Sequence, residues 1–194
     1  MEQTVVRQGM ALDEFIRRMD KPPFEIIDGE IVLMSPNVAG HDYTLRGLFV
    51  LLYTHTRERE LGEVFSEATF VLSNATDRNW VTGSREPDIM FFSATRFTAY
   101  IAATLDWRDR PFALVPDLVI EVVSPTDRMA TVLKKVALYL EDGVQVVWVV
   151  NRMHQSITIY TLTDDPVTLS GELILTGGEL LPGFSTPIHA LFED

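Results

Sequence analysis

The chain has 194 residues, of which 46% are hydrophobic and 23% charged, which is a composition typical of one folded domain. It has no cysteine, and this excludes disulfide and thiolate chemistry. Its net charge of −12 argues against a nucleic-acid binder that relies on general electrostatic attraction. The charge is uneven, because residues 78–152 carry 9 basic and 9 acidic groups while both flanks are acidic. This central third is the predicted contact for a polyanion, with divalent cations or a second subunit to help.

The apolar runs of the sequence are too short to span a bilayer, and its first residues lack the basic-then-apolar pattern of a signal peptide. A cytoplasmic location is therefore the default expectation.

The first half of the chain alternates helical and strand patterns. Residues 10–19 predict a short amphipathic helix, and "FEIIDGEIVLMSP" predicts a β-hairpin that turns on Asp28-Gly29. Apolar residues spaced by three and four predict a helix over 41–61. "EVFSEATFVLS" predicts a strand pair or one long strand, "NATDRNWVTGSRE" a loop rich in turn formers, and "PDIMFFS" a strand.

The second half predicts a strand, a helix and another strand in close succession. "DWRDRPFALVP" is a turn-bearing connection, "PDLVIEVVSP" a strand, and residues 128–141 a helix that ends at Gly143. The predicted core stripe of this helix consists of Leu133, Val136, Ala137 and Leu140. "QVVWVVN" and "SITIYTL" predict two further strands, and short strands and turns complete the tail. The fold class is therefore α/β (α+β): one domain over 1–194, with a central mixed sheet, flanking helices and an N-terminal hairpin.

Glu121 is an acid in the middle of an apolar strand. Alternation places Leu118, Ile120 and Val122 on one face and Glu121 on the other. An unpaired carboxylate in a sheet interior is costly, so Glu121 needs a partner. From the pattern alone, that partner is either a protein donor, such as a lysine or backbone amides, or a metal ion.

Asp88, in "EPDIMFF", is a second acid at the start of an apolar strand, and Lys134 and Lys135 lie in the helix that follows Glu121. Two carboxylates that meet at a sheet edge can hold Mg²⁺ or Mn²⁺. A nearby lysine can orient or help deprotonate water and offset the charge of a phosphate. This combination suits hydrolysis of a phosphodiester.

The chain resembles the Uma-two family of restriction-endonuclease-like proteins, in the PD-(D/E)XK nuclease superfamily. The resemblance rests on "PDLVIEVVSPTDR…KKVALYLEDGVQVVWVVN", on "IIDGEIVLMSP", on "REPDIMFFS" and on "LPGF" near the end. It implies a restriction-endonuclease-like fold and a metal-dependent nuclease site made of an Asp, an Asp or Glu, and a Lys. Carried over, the metal-binding acids are Asp88 and Glu121, the cofactor is Mg²⁺ (or Mn²⁺), and the substrate is DNA.

The catalytic lysine has two candidates. The usual E-x-K spacing falls on Val123, and in this family the lysine lies on the following helix, where the motif register selects Lys135 over Lys134. Helix geometry alone does not choose between them. Thr131 departs from the family pattern, in which an Asp is common at this position.

A second Pro-Asp pair offers an alternative acid. Asp117 precedes Glu121 by four residues on one strand, so their side chains start roughly 13 Å apart, too far to share an ion. Asp88, on a neighbouring strand, can lie directly across from Glu121. Asp117 is therefore predicted to be a strand-start or turn residue.

Two further residues are weaker candidates for the site. Glu30 follows the hairpin turn; the resemblance implies that some relatives bring an extra acid or a polar residue from this region to the site, and Glu30 is otherwise a solvated strand-edge acid. His41 begins the long helix, where it is otherwise packed at the core edge.

The leading hypothesis is a metal-dependent endonuclease that uses Asp88, Glu121 and Lys135. The alternatives are a catalytically silent interaction or nucleic-acid-binding module of the same fold, and an enzyme that acts on another phosphodiester. A homodimer is expected because a monomer of this size and acidity presents little surface to DNA.

Overall fold

The computed structural model describes residues 8–19, 22–34, 38–74, 76–125 and 127–193. The helices in these ranges are α1 (Leu12–Arg18), α2 (Ala39–Glu58), α3 (Ala94–Ala103) and α4 (Met129–Asp142). The strands are β1 (Met10–Ala11), β2 (Phe24–Ile27), β3 (Glu30–Leu33), β4 (Gly62–Ser66), β5 (Phe70–Asn74), β6 (Asp77–Arg85), β7 (Ile89–Ser93), β8 (Leu118–Val123), β9 (Val146–Asn151), β10 (Ser156–Thr161), β11 (Val167–Ser170), β12 (Ile174–Gly177) and β13 (Leu181–Pro187). Short 3₁₀ turns cover Trp107–Asp109 and His189–Leu191.

The described residues fall into two compact units. The first draws on the ranges 1–36, 69–86 and 106–115, and the second on 37–68, 87–105 and 116–194. The prediction of one domain over 1–194 stays a prediction.

The first unit contains an antiparallel sheet in the order β1-β6-β5 and the hairpin β2–β3. The hairpin turns on Asp28 and Gly29, whose φ values of 53° and 80° are both left-handed, as a two-residue turn between twisted strands requires. This predicted hairpin is confirmed. The core of the first unit consists of Met10, Leu12, Phe15, Phe24, Ile26, Val71 and Val81.

One prediction in the first unit is wrong. The segment "NATDRNWVTGSRE" was expected to be a loop, yet Asp77–Arg85 forms β6, which pairs with β1 on one side and with β5 on the other. Its polar and glycine residues have low strand propensity, but the hydrogen bonds of two neighbouring strands override that preference.

The second unit contains the central sheet, in the order β11-β10-β9-β8-β7-β4. The β8–β9 pair is parallel, and the other neighbours pair antiparallel. Parallel neighbours need a crossover connection, which α4 supplies. The predicted α/β class with a central mixed sheet is therefore confirmed.

Helix α2 covers one face of this sheet. Its residues Leu45, Leu48 and Leu52 share a core with Leu118, Ile120 and Val122 of β8. In the part of the chain that the structure describes, no helix is both long and apolar enough to cross a membrane.

Two helical details differ from the sequence analysis. The predicted stripe of α4 is correct for Val136 and wrong for Leu133, which is 44% exposed, because the buried residues are Val132, Val136 and Tyr139. The stripe is thus rotated by about one residue. Helix α3 was not predicted, since it follows β7 directly, without a turn residue between them.

Candidate active site

Strand β8 carries Glu121 on the face of the central sheet that lies opposite α2. Leu118, Ile120 and Val122 are buried in the core beneath α2, and Glu121 alternates with them. The Glu121 side chain is 12% exposed. The predicted division of β8 into an apolar face and a face that bears an acid is therefore confirmed.

Helix α4 supplies the protein partners of Glu121. The hydroxyl of Tyr139 donates to Oε1 at 2.5 Å, and Nζ of Lys135 lies 3.5 Å from Oε2. Lys135 and Tyr139 are four residues apart, so they share one side of the helix. Tyr139 is fully buried, Lys135 is 28% exposed, and Lys134 is exposed. Of the two candidate lysines, the structure therefore brings Lys135 to Glu121.

Asp88 lies immediately before β7. In the antiparallel ladder Ile89 pairs with Ile120, so the next step of the register sets Asp88 opposite Glu121. Asp88 Oδ2 accepts the backbone N–H of Val122 at 2.6 Å and lies 3.0 Å from Nε2 of His41. The Asp88 side chain is 15% exposed, and Oδ1 takes part in neither contact. The two acids thus occupy facing positions on adjacent strands.

His41, in the first turn of α2, is the side-chain partner of Asp88. It is 3% exposed, and its Nδ1 lies 3.3 Å from Oδ1 of Asp42. Burial lowers the pKa of His41, but the hydrogen bonds and charges of Asp88 and Asp42 outweigh that effect and raise the pKa from 6.5 to about 9. In the metal-free protein His41 is therefore a cation at neutral pH, and it holds Asp88 from the α2 side.

The donor set fits a hard divalent cation that keeps much of its water. Asp88 and Glu121 offer carboxylate oxygens; Oδ2 of Asp88 already has two partners, so Oδ1, which takes part in neither contact, is the oxygen that Asp88 can offer to a cation. Among the described residues no group of three His, Cys, Asp or Glu side chains could hold a metal ion. Mg²⁺ is commonly bound by one or two carboxylates, with water and substrate phosphate completing its shell. Asp88 and Glu121 match the ligand set of a magnesium site and not that of a zinc site.

Asp117 lies at the opposite end of β8 and has a different role. It is fully buried, and its carboxylate accepts bonds from the backbone N–H of Ser93 at 2.8 Å, from Nη1 of Arg96 at 2.6 Å and from Nε2 of Gln145 at 2.5 Å. These partners belong to the start of α3 and to the segment before β9. Asp117 therefore joins three elements where β8 begins, in agreement with its predicted position at a strand start.

The other candidates divide between the two units. Glu30 is exposed at the start of β3, in the first unit. His41 contacts Asp88 directly in the second unit. Tyr139 was assigned no role from the sequence, although its spacing of four residues from Lys135 was a usable signal.

Comparison with known proteins gives one family and one solved structure. The family model of Uma2, described as "Putative restriction endonuclease", matches residues 12–189. A crystal structure described as a putative nuclease from Anabaena variabilis has a TM-score of 0.76 and 19% sequence identity, and the match covers 94% of this chain and 97% of that one. At this identity the likeness shows a shared fold. No curated protein matches the chain.

Proposed function

Because the chain belongs to the Uma2 family of restriction-endonuclease-like proteins, we propose that it is a Mg²⁺-dependent endonuclease that hydrolyses DNA phosphodiester bonds. The observation that carries the proposal is the placement of Asp88 opposite Glu121, with Lys135 in contact with Glu121. Two acids and a lysine at one sheet edge suit phosphodiester hydrolysis.

Asp88 and Glu121 would hold the cation, which when bound supplies Lewis acidity toward a phosphate oxygen and toward water. The protein fixes both acids in advance. The Val122 amide and His41 hold Asp88 through Oδ2, while Tyr139 orients Glu121 through Oε1. Such partners lock the ligands in one orientation and reduce the reorganisation needed on binding.

Lys135 would act on the water and on the phosphate. Its ammonium group has three donors, which can orient a water molecule and offset negative charge as the phosphodiester is attacked. Its 28% exposure leaves it accessible to solvent and substrate. Lys134, one residue earlier and exposed, serves as a natural control for a general effect of charge.

Cleavage of supercoiled plasmid DNA with and without Mg²⁺ tests this function. The wild type is expected to cleave only with Mg²⁺ or Mn²⁺. Glu121→Gln and Asp88→Asn should abolish cleavage, and Lys135→Met should slow it by at least about 100-fold. Lys134→Met should retain wild-type cleavage. Full activity of Glu121→Gln, or an equal loss in both lysine variants, would contradict the assignment.

A silent module of the same fold is the second candidate, favoured by the position of Lys135 on a helix rather than at the usual E-x-K position. Calorimetry separates the two. An enzyme should release or absorb heat on Mn²⁺ binding, and Glu121→Gln should lose that heat. A wild type that binds no Mn²⁺ would favour the module. An enzyme that hydrolyses another phosphodiester would bind Mn²⁺ and cleave that substrate, but would leave DNA intact.

We also propose that the protein works as a homodimer, because cutting both strands of a duplex needs two sites and a monomer of this size and acidity presents little surface to DNA. Light scattering on the purified protein tests this. A monomeric mass at working concentration would exclude it.

A further inference from the structure

A cavity of about 270 Å³ lies beside Glu121 and extends to the start of α4. Its lining consists of Glu121, Asp127, Arg128, Thr131, Val132 and Lys135. It is smaller than the roughly 300–1,000 Å³ of typical ligand pockets, so its size suits a small polar group rather than a nucleobase with its sugar. Because Glu121 and Lys135 line it, the cavity is continuous with the candidate active site.

The charged groups of this cavity are balanced but not equally engaged. Asp127 accepts the backbone N–H of Ser124 at 2.7 Å through Oδ2, and Lys135 lies beside Glu121. Within the described residues, the guanidinium of Arg128 takes part in no hydrogen bond or ion pair, and Arg128 is exposed. Arg128 is therefore the cation of the cavity that is available to an external anion.

The first turn of α4 adds a hydroxyl donor to the guanidinium of Arg128. Arg128 is the N-cap residue of α4, and none of the side chains that the structure describes caps this end of the helix. Its carbonyl accepts the amides of Thr131 at 2.8 Å and Val132 at 3.2 Å. Thr131, one turn from Arg128, lines the same cavity, and its side chain carries a hydroxyl donor. Arg128 and Thr131 thus contribute a guanidinium and a hydroxyl to one cavity, which is a donor set suited to phosphate oxygens.

We propose that this cavity binds a backbone phosphate of the substrate strand next to the one that is cleaved, with Arg128 as its principal contact and Thr131 as a hydrogen-bond donor. The proposal rests on the proposed nuclease function for the identity of the anion. Arg128, at the N-cap of α4, and Lys135 are seven residues apart, or about 10 Å along the helix axis, so we assign them to different phosphates. Arg128 is a substrate-positioning residue in this scheme.

The charge balance predicts that this contact depends on a divalent cation. Glu121 and Asp127 carry two negative charges, and Arg128 and Lys135 carry two positive ones, so the metal-free cavity is neutral. A phosphate gains little from entering a neutral cavity that already contains two carboxylates. A divalent cation at Glu121 and Asp88 makes the cavity net positive, and the Arg128 contact then contributes fully.

The test is binding of a fluorescently labelled DNA duplex, followed by anisotropy in Ca²⁺ and in EDTA, with a gel to establish that the DNA stays intact. In Ca²⁺, Arg128→Ala should raise the Kd by at least about tenfold, and Arg128→Lys should restore part of the affinity. The slope of log K against log salt should fall by about 1 in Arg128→Ala. In EDTA, wild type and Arg128→Ala should differ by less than about twofold.

Arg59→Ala is the matched control. Arg59 is an exposed arginine, 47% accessible, that follows α2 and so lies the length of that helix away from His41. The Arg59→Ala substitution removes the same charge and should leave the Kd within about twofold of the wild type. Equal effects of Arg128→Ala and Arg59→Ala, an unchanged salt slope, or no duplex binding by the wild type in Ca²⁺ would overturn the proposal.

The binding test separates this inference from the proposed function. A wild type that binds DNA through Arg128 but never cleaves it would leave the phosphate site standing and remove the nuclease. If the wild type cleaves DNA and Arg128→Ala has an unchanged Kd and KM, the nuclease function stands and the phosphate site is removed.

Discussion

Replacing Tyr139 with phenylalanine removes one hydroxyl from the candidate site and keeps the buried ring. Tyr139 is 0% exposed, and its hydroxyl donates to Oε1 of Glu121 at 2.5 Å. A hydrogen bond to a charged group is worth about 1.5–3 kcal/mol, and no cavity forms because the ring remains. We therefore expect the free energy of unfolding to fall by about 2 kcal/mol, which for a chain of this length lowers the Tm by roughly 4–8 °C.

Urea unfolding in EDTA measures this change without a contribution from metal binding. Tyr43→Phe is the control, because Tyr43 is 49% exposed and its loss of a hydroxyl should cost less than about 0.5 kcal/mol. In a Glu121→Gln background the cost of Tyr139→Phe should shrink by at least about 1 kcal/mol, since the charged acceptor is gone. Equal costs for Tyr139→Phe and Tyr43→Phe, or the same cost in both backgrounds, would refute the reasoning.

The same variant should also weaken Mg²⁺ binding by about 10–100-fold in calorimetry, because the proposed ligand Glu121 loses the group that orients it; unchanged affinity would show that Tyr139 serves stability alone. For His41, the raised pKa means that its stabilising charge is complete below pH 6.5 and is lost as the pH rises through about 9. An NMR titration of the metal-free protein should give a midpoint near 9, and His41→Gln should remove the corresponding loss of stability; a midpoint near 6.5 would contradict this. Asp117→Asn should lower stability by about 2 kcal/mol in urea, because it removes the charge from a buried carboxylate that accepts three hydrogen bonds, one of them from the partly exposed Arg96, yet leave Mn²⁺ affinity unchanged; a matching loss of Mn²⁺ binding would place Asp117 in the site after all.

The facing positions of Asp88 and Glu121 could be predicted because strand geometry is regular. Once β7 and β8 are recognised as neighbours, the alternation of side chains and the spacing along the strand exclude Asp117 and favour Asp88. Lys135 was selected by its motif register and not by the helical wheel. The helical wheel does not separate the two lysines, because the predicted stripe of α4 is centred about one residue beyond the buried residues Val132, Val136 and Tyr139. On the correct stripe Lys135 borders the buried side.

The remaining errors arise from contacts between segments that are distant in the chain. The strand β6 contains Asp77, Asn79 and Gly83, which favour turns locally, and only its pairing with β1 and β5 makes it extended. The contact between His41 and Asp88 joins residues 47 positions apart, so no local pattern announces it. Local propensity thus predicts the elements that carry the site better than the partners that hold it.

The bond from the Val122 amide to Asp88 has a consequence for how this site evolves. Every amino acid except proline provides that N–H group. The side chain at position 122 can therefore be replaced together with its core neighbours while the hydrogen bond to Asp88 is kept. Positions 88 and 122 are therefore coupled in space without any need to covary in sequence. Alignments of relatives would detect the link only as an absence of proline at position 122.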